Sequence, residues 1–467
     1  MESGISRNQN AYHKSNALAD LVGDFHVVPL ATSLSLAFEN QLPTLKLPLP
    51  CGQTAPKNDE MAALVSRIWQ AFNPPRPAKT SNALKFGILG AANIAPLALI
   101  NPAKSHPEVI IQAVSARDRK KAEAYAKSNG IPEVKDSYQD ILDDPNIDCV
   151  FIPLPNGLHY EWAVRAIRAG KHVLLEKPSV SNAIEAEILF KLPELSKPDA
   201  PVLLEAFHNR FFPAWAYFRS LINSENVAHV SSSSMIPWWA TSKNDIHFNY
   251  SLAGGTMMAM GTYNFSALRL IFDADPEECL SCDTKAFDDG VHKNCDYEFK
   301  AKFRFPGGGI GEASSTLKGG TILLPSSVTV TNKEDVIPDN TLPTSQKKVL
   351  LRELTLYGLV HGLFWHRIDV KDVFEIRSKN GEVIKKWEEK NTHKVYTFKE
   401  AGGEFADLPG EVYWMSYRHQ LEQFVNRVRG RKTQHWVSGD DSIAQMKMLD
   451  MAYEKSGLGL RPTSTYR

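Results

Sequence analysis

Lys177 is the side chain of this sequence best placed to move a proton. It sits in Gly170-Lys-His-Val-Leu-Leu-Glu176-Lys177-Pro178, an apolar strand that stops in a charged pair and a proline. In a parallel sheet, strand ends of this kind line the ligand crevice. A lysine desolvated there loses part of its basicity and can hold or relay a proton. Upstream, Lys85-Phe-Gly-Ile-Leu-Gly90-Ala91-Ala92-Asn93-Ile94-Ala95 is another apolar strand, which breaks into a turn of small residues and then a helix. Small residues let backbone N–H groups and the positive helix end approach a pyrophosphate. Measured against G-x-G-x-x-G/A, the second glycine is replaced by Ala92. The two runs together point to dinucleotide chemistry more strongly than either alone.

A further strand ends in Ser115-Ala116-Arg117-Asp118-Arg119. A carboxylate near this point suits the ribose hydroxyls of NAD, whereas an arginine suits a 2′-phosphate. Arg117 has the fork geometry for phosphate, so NADP is expected in preference to NAD. Asp118 then reads as the first turn of the next helix. Cys279, Cys282 and Cys295 invite a zinc reading. A structural site wants four ligands and only one Cys-x-x-Cys is present, so ordinary thiols and no metal are expected.

Three blocks carry a family resemblance. They are Pro153-Leu-Pro155-Asn156-Gly-Leu-His159-Tyr-Glu161-Trp; the run into Glu176-Lys177-Pro178; and Glu205-Ala-Phe-His-Asn-Arg210-Phe-Phe-Pro213. With Gly254-Gly255 and Tyr263, they resemble the Gfo/Idh/MocA oxidoreductases. The branch suggested holds dimeric dihydrodiol dehydrogenases and fungal NADP-dependent D-xylose 1-dehydrogenases. The resemblance implies that Lys177 and Tyr263 manage the substrate's hydroxyl proton. It implies cofactor contacts from the turn at Gly90 to Ile94, from Arg117, Pro155, Asn156, His159, Glu176 and Lys177, and from Arg210. It also implies oxidation of a sugar or polyol hydroxyl, D-xylose first. The alternatives are a trans-1,2-dihydrodiol dehydrogenase and a catalytically weak NADP-binding sensor or partner protein. The last rests on one departure: the family's Asp four residues before the Tyr is Ala259 here. Residues i and i+4 share a helix face, so Tyr263 is expected to lack a carboxylate neighbour. Asp245 and His247 lie upstream and are candidate substrate contacts. Trp238-Trp239 reads either as a platform for a sugar face, with Trp239 a substrate contact, or as core and interface anchors.

These side chains need a scaffold. From residue 85 the pattern alternates strand and helix: strands at 86–89, 109–115, 134–137, 149–152, 173–175 and 202–206, with helices between. That spacing predicts right-handed βαβ units and a mostly parallel Rossmann-type sheet over 85–206. After about residue 207 strands dominate, at 227–235, 298–305, 310–317, 326–331, 370–377 and 394–399, with a helix near 257–270. This predicts an α+β substrate and dimerisation domain over 207–467 with a mostly antiparallel open sheet. Late helices at 413–428 and 441–456 are expected to pack back on the first domain. Residues 61–84 read as a short amphipathic helix and a proline-rich linker. Residues 1–60 carry no clear period and read as a disordered leader, or as sequence preceding a natural start at Met61.

The 467 residues carry 53 Lys+Arg and 53 Asp+Glu. A balanced charge gives no electrostatic footprint for nucleic acid or a membrane surface. No apolar run is long enough to span a bilayer, and no secretory signal is visible at Met1. Five cysteines over this length suit a reduced, cytoplasmic setting. A homodimer through an exposed apolar face of the C-terminal sheet is expected. The partners are then a small sugar or diol, with no nucleic acid and no membrane.

Overall fold

In the computed structural model, residues 58–466 are described, except 323 and 363. The expectation for 1–60 therefore falls almost wholly outside the described residues. The chain divides into two units, residues 1–62 and 63–467. The second unit holds two sheets and the helices that pack on them.

Six strands form an all-parallel sheet among the described residues: β1 (Leu84–Leu89), β2 (Val109–Ser115), β3 (Glu133–Val134), β4 (Cys149–Ile152), β5 (His172–Leu175) and β6 (Leu203–Glu205). Their order is β3-β2-β1-β4-β5-β6. The order reverses between β1 and β4, which opens a crevice at their carboxyl ends. The strands are near-continuous apolar runs because helices cover both faces; Phe86, Ile88, Val150, Phe151, Val173 and Leu174 are fully buried. Gly87 is needed for packing, since a Cβ there would lie 2.3 Å from Ile141 Cγ2.

A second, nine-stranded sheet comprises β7 (Val227–Pro237), β8 (Glu278–Ala286), β9 (Asp296–Arg304), β10 (Ile310–Gly319), β11 (Ser327–Asn332), β12 (Asp335–Ile337), β13 (Gln346–Tyr357), β14 (Arg367–Ser378) and β15 (Val383–His393). Its order is β15-β14-β13-β11-β7-β10-β9-β8, with β12 on β13. Only β7 and β10 run parallel; the other pairs are antiparallel. The two-domain α/β plus α+β architecture is as the sequence pattern predicts. The strand expected at 394–399 is absent. Thr397 and Glu400 form a capping box there and start the helix Phe398–Ala401.

The helix Thr262–Phe272 lies on the inner face of this sheet, where Asn264 receives Ser232 Oγ at 3.1 Å. Late helices reach the first domain: Ser416–Val428 packs on Pro96–Lys104, and Gly439–Ser456 packs on Ala183–Phe190. The outer face is not the apolar surface expected. It shows Ser231, Ser233, Ser327 and Thr329, with Glu312 paired to Lys302 at 3.4 Å and to His229 at 3.8 Å. Strand alternation puts Val230, Val328 and Val330 against the core and leaves hydroxyls and charges outside. Cys279, Cys282 and Cys295 are buried thiols. No helix among the described residues is long and apolar enough to cross a membrane.

Candidate active site

The turn after β1 is built by Gly90. Its φ of +109° is open to glycine and strained for other residues. That conformation lets Gly90 N–H donate to Ser115 O at 2.8 Å, which sets the mouth of β1 beside that of β2. Ala91 and Ala92 are half-buried, Asn93 is exposed, and Ile94 packs on the core as the helix begins. Tyr125 Oη donates to Ala92 O at 3.0 Å and fixes the turn from behind. Arg117 stands exposed at the end of β2. Among the described residues no hydrogen bond or ion pair engages its guanidinium. Arg119, by contrast, is spent on Glu123 and Asp136, and Asp118 caps the next helix at Lys121 N–H, as expected.

The exits of β4 and β5 are tied by His159. Its ring nitrogens lie 2.7 Å from Leu154 O and 2.9 Å from Pro178 O. The ring is fully buried, and burial lowers its pKa to about 4. Pro155 begins the turn Asn156–Leu158, and Asn156 Nδ2 donates to Ala253 O at 3.2 Å. Gly157 allows this approach, since a Cβ there would sit 3.0 Å from the Leu252 backbone. The turn therefore joins the nucleotide domain to the loop before Gly254.

Lys177 follows directly, in a cis peptide with Pro178. Its amine donates to Ala259 O at 2.6 Å and lies 4.6 Å from the centre of the Tyr263 ring. Burial lowers its pKa to about 8, against the raising pull of Glu176 and Glu205. Glu176 is pushed up to about 7, by burial first. One of its carboxylate oxygens, Oε1, is buried without a partner. Burial likewise drives the Tyr263 phenol well above its ordinary range. Three titrating groups with shifted ionisation therefore stand together here, a pattern that makes the cluster a candidate site.

Ala259 lies in a local helical irregularity. Met257–Gly261 is a π-helical turn leading into Thr262–Phe272. Ala259 packs in a small apolar cluster with Phe248 and Leu317, whereas Tyr263 belongs to the main core. What Ala259 gives the site is its carbonyl. Gly255 starts this segment at φ +133°, where a Cβ would lie 2.2 Å from Asp296 Oδ1.

Other expected contacts are not gathered here. Arg210 is buried in a network with Asp441 and Ser266, and its guanidinium lies 4.7 Å from the Phe207 ring. Asp245 accepts from His247 N–H at 2.9 Å, with the His247 ring against it. Trp239 Nε1 donates to Thr321 O at 3.0 Å. Among the described residues, no hydrogen bond joins Asp245, His247 or Trp239 to Lys177 or Tyr263. Trp238 is 59% exposed, so it is no core anchor.

Residues not singled out from the sequence complete the cluster. His208 Nε2 is 2.9 Å from Tyr263 Oη, and its Nδ1 is 2.7 Å from Ser416 Oγ. Tyr417 stacks on one side of His208 at 3.9 Å, and His361 stacks at 5.6 Å. Ser416 and Tyr417 lie over 200 positions away, so no spacing could reveal them. His208 lies inside the Glu205–Pro213 block, but nothing in its sequence neighbours distinguishes it from a core histidine.

The residues fit a nicotinamide dinucleotide phosphate. Gly90 holds the phosphate turn open, an unengaged arginine ends β2, and Glu176 carries an unpaired buried oxygen at the crevice.

Residues 84–197 match the oxidoreductase family Gfo/Idh/MocA, described as having an NAD-binding Rossmann fold. A D-xylose 1-dehydrogenase (NADP(+)) from Haloferax volcanii is 40% identical over 210 residues, 44% of this chain and 63% of that one. A trans-1,2-dihydrobenzene-1,2-diol dehydrogenase from Xenopus tropicalis is 27% identical over 216 residues, 45% of this chain and 64% of that one. The chain thus spans under two thirds of the length of these relatives. A 3-ketoreductase from Actinomadura kijaniata, solved with NADP and TDP-benzene, superposes with a TM-score of 0.58 at 20% identity. That match covers 80% of this chain and 98% of the other, and shows the shared fold. The similarity to the Gfo/Idh/MocA oxidoreductases thus lies in the nucleotide-binding domain of this chain.

Proposed function

We propose that this chain is an NADP-dependent dehydrogenase that oxidises a sugar hydroxyl, with the anomeric hydroxyl of D-xylose as the first candidate. The observation that carries this is the meeting of Lys177 and Tyr263 just beyond the carboxyl end of β5. When bound, the nicotinamide supplies the electron-pair acceptor for the substrate's C–H bond. The protein supplies placement and proton management. Arg117 would take the 2′-phosphate, the Gly90–Ile94 turn the pyrophosphate, and Glu176 and Asn156 the ribose side of the crevice. Lys177 with a pKa of about 8 is close to the balance point for proton transfer near neutrality. It and Tyr263 would receive the hydroxyl proton between them. Asp245, His247 and Trp239 would bound the substrate through the loop that Asn156 holds.

The similarity to a dihydrodiol dehydrogenase supports a second substrate class, vicinal diols, with the same residues. The same reading includes a homodimer through the C-terminal sheet. Its outer face of hydroxyls and ion pairs would make a wet interface, and sedimentation at micromolar concentration checks it. Turnover of a panel of aldoses and diols with NADP⁺ and NAD⁺ tests the function. The proposal expects NADP⁺-dependent oxidation, fastest with an aldopentose. Tight NADPH binding with no turnover on any of them would reduce the chain to a cofactor-binding protein.

A further inference from the structure

We infer that His208 is a positioning residue for Tyr263, taking the phenol's proton as the Tyr263 oxygen receives the proton of the substrate hydroxyl. This rests on the dehydrogenase reading above.

The geometry is a chain of three groups. Tyr263 Oη, the His208 imidazole and Ser416 Oγ are linked at 2.9 and 2.7 Å. All three residues are buried, and His208 is 0% exposed. Tyr417, stacked at 3.9 Å and 28°, fixes the imidazole plane so that both nitrogens stay on their partners. No such chain is needed merely to fill space; a methionine or leucine would pack there without a polar partner to satisfy.

The direction of the chain follows from the charges around it. Lys177 lies over the same tyrosine ring. With the imidazole neutral, Nε2 can accept from the phenol O–H. Nδ1–H then donates to Ser416 Oγ. Lys177, His361, Tyr263, Tyr417 and Ser416 face His208, and Glu176 acts on both tyrosines. Burial first, then His361 and Lys177, keeps the imidazole neutral and able to accept.

The chain answers a difficulty in the site. Burial makes a free Tyr263 phenolate inaccessible near neutrality. A phenol that gains one proton while losing another itself stays neutral, and the charge appears on the imidazole. The substrate O–H bond breaks as an O–H bond forms on Tyr263. The original Tyr263 O–H bond breaks as an N–H bond forms on His208 Nε2. The substrate C–H bond breaks with its hydrogen and its electron pair passing together to the oxidised nicotinamide dinucleotide, and Ser416 Oγ shares the charge gained by the imidazole.

Two measurements test this. The first uses histidine-¹⁵N-labelled protein without cofactor. The resonances lost in His208→Phe identify the residue, and they are expected to report the Nδ1–H tautomer and to shift in Tyr263→Phe. An Nε2–H tautomer, or no response to Tyr263→Phe, overturns the relay. The second is a proton inventory and pH profile of NADP⁺-dependent oxidation. His208→Phe is expected to lose about 10²-fold in kcat with KM for NADP⁺ unchanged, to turn a curved inventory linear, and to recover partly with added imidazole. Wild-type rate, profile and curvature in His208→Phe overturn it. A wild-type chain that oxidises nothing overturns the dehydrogenase reading instead, while the tautomer measurement still decides the hydrogen-bond direction.

Discussion

The amine of Lys177 lies 4.6 Å from the centre of the Tyr263 ring, although the two residues belong to different domains. The strand β5 delivers one and the helix after the π turn delivers the other. Their contact is held from both sides. His159 fixes the backbone at Pro178, and the Ala259 carbonyl holds the lysine amine.

Lys177→Met is expected to lower kcat by about 10²–10⁴-fold, the usual worth of a positioned acid–base group. Because its pKa is lowered to about 8, the neutral amine gains ground as pH rises. Oxidation by the wild type should therefore climb through that pH, and Lys177→Met should lose this limb. Steady-state rates across roughly pH 6 to 10, which brackets that ionisation, check it.

Arg117→Ala is expected to weaken NADPH binding by about 10–100-fold, the range for a hydrogen-bonded charge pair. NADH binding should change little. Calorimetric titration of both cofactors checks it; equal losses for the two would detach Arg117 from the 2′-phosphate.

Ala259→Asp is expected to destabilise the fold rather than raise turnover. The side chain would enter the Phe248 and Leu317 cluster, and an unpaired buried carboxylate there costs about 2–5 kcal/mol. Thermal melts with matched kinetics decide between this and a restored catalytic partner.

Much of the scaffold was legible in the sequence. The parallel strands of the first domain are apolar, short and evenly spaced, and β2 and β4 fall on the residues expected. The second sheet was harder. β15 reads Val-Ile-Lys-Lys-Trp-Glu-Glu-Lys-Asn-Thr-His, with almost every residue exposed. An edge strand wet on both faces has no two-residue period, and its charges guard against pairing. β13 was missed because Lys347, Arg352 and Glu353 interrupt its apolar alternation, yet it pairs along its length with β14. Lys177 and Tyr263 were legible because each sits in a local block. The π turn was not, since the choice between i→i+4 and i→i+5 pairing is settled by tertiary packing. Nor was the His208–Ser416 contact, which joins distant segments.

Gly255→Ala is expected to cost at least about 2 kcal/mol, through a disfavoured φ and overpacking. The added methyl would strike Asp296, whose Oδ2 accepts from Met257 N–H at 2.7 Å, and so disturb the π turn. Urea denaturation checks the loss, and a parallel fall in kcat would tie the turn to the site.

Glu205 gives a pH signature of stability. Burial raises its pKa from 4.5 to about 7, so the folded state holds a proton that the unfolded chain releases between those values. Its stabilising effect is full below about pH 4 and is lost as pH rises through about 7. Glu205→Gln should flatten that fall, on the order of 2 kcal/mol. Urea midpoints at about pH 5 and about pH 8, either side of the folded ionisation, check it.

The most direct test is a crystal structure of the full chain with NADP⁺. The account predicts the nicotinamide ring in the crevice beside β5, with Lys177 Nζ and Tyr263 Oη converging on one point about 3–3.5 Å from its reactive face. A ring bound elsewhere, or Lys177 and Tyr263 turned to opposite sides of it, would contradict it.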